Sequence, residues 1–156
     1  HTRLEASHPY TSSWWSWPFL LRPVWLYTSG TIKNTIANIY AMGNPLVFWF
    51  GGLSIVICLI YAYLERNKKL ALIVFSYFVL FVPWAISPRI MFLYHYLPSI
   101  PFLAIAIGYV LRRFSRQAIP FFVLAGIIFL YFYPHWTGLR IPIDWDNSYY
   151  WFSSWR

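Results

Sequence analysis

The chain has 156 residues, of which 60% are hydrophobic, 24% aromatic and only 10% charged, with a net charge of +8. Soluble domains carry about 25% charged residues, and a fold this short cannot hide so much apolar surface, which argues against a water-soluble all-α domain. The basic residues fall in short clusters between apolar runs, not along one stripe; this argues against a nucleic-acid partner and matches a multi-span membrane protein.

The first residues, His1 to Ser7, are polar and lack both an initiator Met and the apolar core of a signal peptide. The chain is therefore expected to be the C-terminal part of a longer polypeptide whose earlier spans lie upstream. Residues 1–44 do not form a span. Trp14, Trp15, Trp17, Trp25 and Tyr27 crowd together, and Pro18, Arg22 and Pro23 interrupt the apolar residues. Trp and Tyr favour the headgroup level, where ring and polar tip are both satisfied. Ser13 to Leu21 is predicted to be a short helix on the membrane surface, with Ser12 or Ser13 as its N-cap. Val24–Tyr27 and Ile36–Tyr40 read as extended and flank the turn-prone Ser29-Gly30, which predicts a loose hairpin.

Asn44-Pro45 places a capping residue before a proline at the first helical position. Four transmembrane helices follow, at about 45–64, 70–86, 90–111 and 118–133. Each is near the ~20 residues that span a hydrocarbon core of about 30 Å, the fourth being short. The fold class is all-α polytopic membrane protein, with an aromatic tail over 134–156. Cys58 lies inside the first span and is expected to be a buried apolar group, offering neither disulfide nor metal spacing. Ala104 and Gly108 are a small-xxx-small pair suited to close helix packing. Pro98 and Pro101 remove backbone donors from the third span and predict a kink.

Arg66, Lys68 and Lys69 lie in one inter-span loop, and Arg112, Arg113 and Arg116 in another; with four spans, both loops fall on one side. The positive-inside rule makes that side cytoplasmic. The Trp-rich segment, the Ser87-Pro88-Arg89 turn and the tail then share the extracytoplasmic interface.

That turn carries the strongest chemical signal. A charge in hydrocarbon costs about 2.5–3.5 kcal/mol on insertion scales, so polar groups at a span mouth usually face a bundle interior or a watery cavity. Arg89 fits either a ligand for a lipid phosphate, whose geometry its guanidinium matches, or an anchor that snorkels to the interface. Arg22 is a second phosphate candidate. His95, flanked by Tyr94 and Tyr96, either lines a cavity or bonds to neighbouring helices. The carboxylates are Glu5, Glu65, Asp144 and Asp146. Glu65 is on the cytoplasmic side, and the Asp144/Asp146 pair reads as a solvated tail feature. No phosphate-binding glycine loop, nucleophile elbow or zinc spacing occurs.

His8-Pro9-Tyr10-Thr11-Ser12-Ser13-Trp14-Trp15-Ser16-Trp17-Pro18, then Leu21-Arg22-Pro23-Val24-Trp25, resembles the protein O-mannosyltransferases, particularly the bacterial branch. Gly43-Asn44-Pro45, Ser87-Pro88-Arg89 with Phe92-Leu93-Tyr94-His95-Tyr96-Leu97-Pro98, and Trp151-Phe152-Ser153-Ser154-Trp155 extend the resemblance, in order, over nearly the whole chain. It implies the C-terminal four-span region of a GT-C-type glycosyltransferase. Such enzymes move mannose from polyprenyl or dolichyl phosphate mannose to Ser/Thr hydroxyls of secreted proteins on the extracytoplasmic face. The family's catalytic carboxylates lie in an N-terminal loop outside this chain, so no catalytic residue and no metal is assigned here. Arg89, Arg22, His95, Tyr94 and Tyr96 are then the donor-phosphate candidates, and Trp14, Trp15 and Trp17 the acceptor-side or interfacial ones. The lipid-linked mannose is a co-substrate, not a resident cofactor. Membrane lipid, a secreted acceptor protein and the N-terminal membrane region are the expected partners. The expected location is the bacterial cytoplasmic membrane, or the endoplasmic reticulum in a eukaryote. A sister lipid-dependent glycosyltransferase, or a membrane scaffold or transporter fragment, are the alternatives; no internal repeat of the transporter kind is present.

Overall fold

Asn44 does the work its position predicts. In the structure, a computed structural model that describes residues 8–156 and so leaves Glu5 outside it, Asn44 Oδ1 accepts from the N–H groups of Leu46 and Val47 at 3.1 and 3.4 Å. Helix α1 (Pro45–Leu64) starts there. Asn67 repeats the device: its Oδ1 accepts from Lys69 and Leu70 and opens α2 (Lys68–Phe81). Helix α3 covers Ile100–Arg113 and α4 covers Ala118–Thr137. With the 3-10 turns that extend three of them, these make four helices long and apolar enough to cross a membrane. The chain is a multi-pass membrane protein.

Two spans depart from uninterrupted helices. The second ends as α2 at Phe81 and continues as a 3-10 turn over Val82–Ile86, with Pro83 inside it. The third, expected as one helix over 90–111, has no helix at residues 90–92. It runs as a 3-10 helix over Leu93–Ser99 and becomes α-helical only at Ile100. Pro98 and Pro101 cause this, since neither can donate to the i−4 ladder that an α-helix requires. The fourth helix is longer than 118–133. It runs to Thr137, is stopped by Gly138 at φ +69°, and keeps Pro134 inside it.

The core is the packing of α1 on α3, with α2 against both. Gly51 allows the close approach: a Cβ there would lie 1.8 Å from Leu103 Cδ2, so only glycine lets the two helices meet. The small pair of α3 is not part of this contact. Ala104 and Gly108 are exposed, and open space faces Gly108. Cys58 is fully buried, its Sγ 3.9 Å from the Ala106 carbonyl. Helix α4 touches α1 through Phe121 on Phe50 and through Asn44 Nδ2, which donates to the Ala125 carbonyl at 2.9 Å. It buries only Phe132 and His135, both in its last turns.

Everything outside the spans that contains Trp gathers at one end of the bundle. Trp14–Phe19 is a 3-10 helix, shorter and tighter than the surface helix predicted over Ser13 to Leu21. Strand β1 (Val24–Thr28) pairs antiparallel with β3 (Asn38–Ala41), and the short β2 (Thr35–Ile36) pairs with β4 (Ile141–Pro142) of the tail. The tail over 134–156 is therefore not a loose appendage. After helix α5 (Ile143–Ser148) it returns to the N-terminal segment, where Trp155 is 2% exposed and donates its Nε1–H to the Leu20 carbonyl at 2.6 Å. Ser154 Oγ donates to the neighbouring Leu21 carbonyl. Leu20 takes a left-handed φ of 54° to present that carbonyl.

Candidate functional site

Arg89 sits in the turn between the two 3-10 segments, and its N–H is 3.4 Å from Ser87 Oγ. The adjoining Met91 carbonyl accepts from the Ser12 N–H at 2.9 Å, which stitches the N-terminal segment to the turn. Between them lies a groove of about 440 Å³ lined by His8, Thr11, Ser12, Ser13, Arg89 and Met91. Arg89 is exposed there, and among the described residues its guanidinium is in no ion pair. A guanidinium offers five N–H donors in a planar fork, here beside three hydroxyl side chains.

The other phosphate candidates are committed elsewhere. Arg22 donates from Nε to the Pro9 carbonyl at 2.8 Å and lies 5.8 Å over the Tyr10 ring, so it holds the N-terminal segment down. His95 is half-buried. Its Nδ1 accepts from the Phe92 N–H at 3.1 Å, capping the 3-10 helix, and its ring packs against Trp84 and Tyr94 at 4.5 and 4.7 Å. Tyr94 lines a separate apolar pocket with Gly43, Phe48 and Leu97. Tyr96 is 1% exposed, and its hydroxyl is paired to that of Tyr77 at 2.6 Å. Tyr96 thus fastens the bundle, its hydroxyl buried against that of Tyr77.

The three tryptophans also divide. Trp17 is 1% exposed and donates to Ser12 Oγ at 2.9 Å, so it belongs to the core. Trp14 and Trp15 line an apolar groove of about 470 Å³ between α1 and α2, with Phe19, Trp49, Leu53 and Phe78. That lining suits an alkyl chain better than a hydroxylated peptide.

A buried charge that sequence reasoning treated as solvated lies at the same end. Asp146 is 6% exposed. Its Oδ1 accepts from Asn38 Nδ2 and from His135 Nε2, each at 2.8 Å, and its Oδ2 accepts from the Tyr150 hydroxyl at 2.9 Å. The Tyr40 and Tyr150 hydroxyls are 3.0 Å apart, and the Tyr40 ring stacks on His135 at 5.0 Å. Burial pushes the Asp146 carboxyl up, but the hydrogen bonds from His135, Asn38 and Tyr150 outweigh it and hold the group below the usual carboxylate range. Burial raises the Tyr40 and Tyr150 hydroxyls. A carboxylate saturated and enclosed in this way fastens strand β3, α4 and α5 together; it is not placed to take a proton from a substrate. Asp144 is exposed, and Glu65 lies at the far end of α1. Among the described residues no three His, Cys, Asp or Glu side chains converge on a metal position.

Known proteins are similar to this chain. Residues 1–155 match the family model described as the C-terminal four TMM region of protein-O-mannosyltransferase. The polyprenol-phosphate-mannose–protein mannosyltransferase of Corynebacterium glutamicum is 28% identical over 96% of this chain and 33% of its own length. The relative of the same description from Mycobacterium tuberculosis is 27% identical over 96% of the chain and 33% of its own length. Dolichyl-phosphate-mannose–protein mannosyltransferase 5 of Candida albicans is 25% identical over 95% of the chain and 25% of its own length. The chain thus spans a third or less of the length of these curated relatives. No solved structure matches it at a significant level.

Proposed function

The chain belongs to the family of C-terminal four-span membrane regions of protein O-mannosyltransferases, and from that premise we propose that it forms part of the donor site of an enzyme using a polyprenyl-type phosphate mannose. The observation that carries this reading is Arg89: an exposed guanidinium without an ion-pair partner among the described residues, in a hydroxyl-lined groove at the interfacial end of the bundle. It binds the donor phosphodiester through paired N–H···O bonds. The apolar groove under Trp14 and Trp15 accommodates lipid chain. Segments 1–44 and 134–156 act as one extracytoplasmic unit over the spans within 45–133, and the acceptor is a Ser/Thr hydroxyl of a secreted protein. The bacterial cytoplasmic membrane is the proposed location. Cysteine labelling tests the orientation: in intact cells a maleimide that cannot cross membranes should modify a cysteine at position 144 and spare one at position 68. The reverse pattern removes the donor site from the proposed side.

The same reading makes this chain a supporting region. A hydroxyl nucleophile needs a base within hydrogen-bond reach. Here Asp146 is saturated, Glu65 is at the opposite end, and Asp144 is exposed beside nothing that fixes it near Arg89. The base then comes from the N-terminal part of the enzyme. The purified 156-residue chain, given polyprenyl phosphate mannose and a Ser/Thr-rich peptide in nanodiscs, should show no turnover above a heat-killed control. Turnover that Asp144→Asn abolishes would place the base in the tail instead.

A further inference from the structure

The end of the bundle opposite Arg89 carries a site of a different kind. Arg66, Lys68, Lys69, Arg112, Arg113 and Arg116 gather there against the single carboxylate Glu65. Glu65 is already answered: Arg113 Nη2 is 3.3 Å from its Oε1, and the same guanidinium lies 4.4 Å over the Tyr61 ring. Among the described residues none of the other five cations is in an ion pair. Between the α1–α2 turn and the last turn of α3 lies a pocket of about 330 Å³ lined by Glu65, Asn67, Tyr109, Arg112 and Arg113. It sits where two spans end, and it joins a neutralised ion pair to the guanidinium of Arg112, an amide and a phenol.

The backbone adds a second observation. Arg66 occupies the residue after the α1 C-cap with φ +50°, in the left-handed region. Glycine adopts that conformation freely and is the usual residue at this position of a helix end. The turn closes in the expected way, with the Asn67 N–H donating to the Ala62 carbonyl at 3.0 Å. A cation thus stands where the backbone prefers glycine.

We propose that this pocket binds the anionic headgroup of a phospholipid through its phosphodiester, with Arg112 as the principal cation, Arg66 on the adjoining turn adding a second, and Asn67 and Tyr109 as neutral donors. Basic pockets between transmembrane helices suit such headgroups, and a guanidinium matches two phosphate oxygens at once. The Arg113–Glu65 pair removes the carboxylate charge that would otherwise repel the ligand. The site faces a bilayer lipid whichever side of the membrane this end occupies, so it stands apart from the mannosyl-donor reading.

The experiment is a thermal-shift titration of the full-length membrane protein in neutral detergent with short-chain phosphatidylglycerol. Phosphatidylcholine and inorganic phosphate form the control arms. Phosphatidylglycerol should raise Tm saturably by several degrees, with neither control doing so. Arg112→Gln should weaken the apparent affinity about tenfold. Arg66→Gly should weaken it severalfold while keeping or raising the ligand-free Tm, a separation that a purely structural arginine would not give. An equal shift with phosphatidylcholine overturns the anionic site, an equal shift with inorganic phosphate overturns its assignment to a lipid, and unchanged affinity in both variants overturns the assignment to this pocket.

Discussion

Arg89→Ala in the full-length enzyme is expected to lower kcat/KM for polyprenyl phosphate mannose about 10²-fold. A hydrogen bond to a charged group contributes about 1.5–3 kcal/mol, a bidentate guanidinium–phosphate pair sits at or above the upper figure, and each 1.4 kcal/mol is tenfold. Arg89→Lys should recover roughly one of those two decades, because an ammonium keeps the charge and loses the planar fork. The fold should be untouched: Arg89 is exposed, and among the described residues its bond is from the backbone N–H to Ser87 Oγ. Steady-state transfer of labelled mannose to a Ser/Thr peptide reads both effects. Wild-type donor kinetics in Arg89→Ala would reduce the residue to a membrane anchor. Arg22→Ala gives a useful contrast, since its Nε bond to Pro9 predicts a looser N-terminal segment and no selective loss of donor affinity.

The second large effect falls on stability. Asp146→Ala leaves Asn38 Nδ2, His135 Nε2–H and the Tyr150 hydroxyl facing an empty buried space, and each buried donor left unsatisfied costs about 1–3 kcal/mol. Asp146→Asn keeps the shape and one accepting oxygen and should cost less than half of that. The loss falls first on the end of the bundle where the carboxylate ties Asn38 of β3, His135 of α4 and Tyr150 together. Tryptophan fluorescence of the aromatic end should therefore melt well before the far-ultraviolet helix signal. Acid should act in the same way. The folded-state carboxyl lies below its ordinary value of 3.8, so the stabilisation is complete above about pH 4 and disappears as pH falls through the lowered folded value. Asp146→Asn removes that acid-side transition. A wild-type fluorescence transition that persists unchanged in Asp146→Asn would mean another group drives it.

The chain's punctuation was readable in advance, and the direction its side chains face was not. Asn44-Pro45 marks the start of α1 by local chemistry; Asn67 and Gly138 carry the same kind of local signal, but the expected bounds at 70 and 133 do not use them. Pro98 and Pro101 likewise announced a broken third span, although sequence alone gave a kink and the structure a 3-10 lead-in. Trp14, Trp15 and Trp17 look alike as letters; a 3-10 turn of three residues sends Trp17 inward and leaves Trp15 out. Asp146 was illegible for a different reason. Its partners stand at positions 38, 135 and 150, and only a fold that returns the tail to β3 assembles them. In an Asp-Trp-Asp stretch nothing local separates the exposed Asp144 from the buried Asp146. Gly51 is illegible because a glycine pair in an apolar run gives no hint that Leu103 presses on one member and open space faces the other.

The bond from Trp155 to the Leu20 carbonyl joins positions 135 residues apart. A ribosome adding about 5–20 residues per second needs roughly 7–27 s to travel from one to the other. For most of that interval the hairpin of β1 and β3 exists while Asp146, Ser154 and Trp155 have yet to be synthesised. Its aromatic face waits without the segment that will cover it, at the mercy of proteases and of holdases that recognise exposed rings. The span of α4 must then be inserted before the clasp can close. Closure of this end therefore waits on synthesis of the tail, and a chain that stops after the third span lacks the residues that clasp the hairpin.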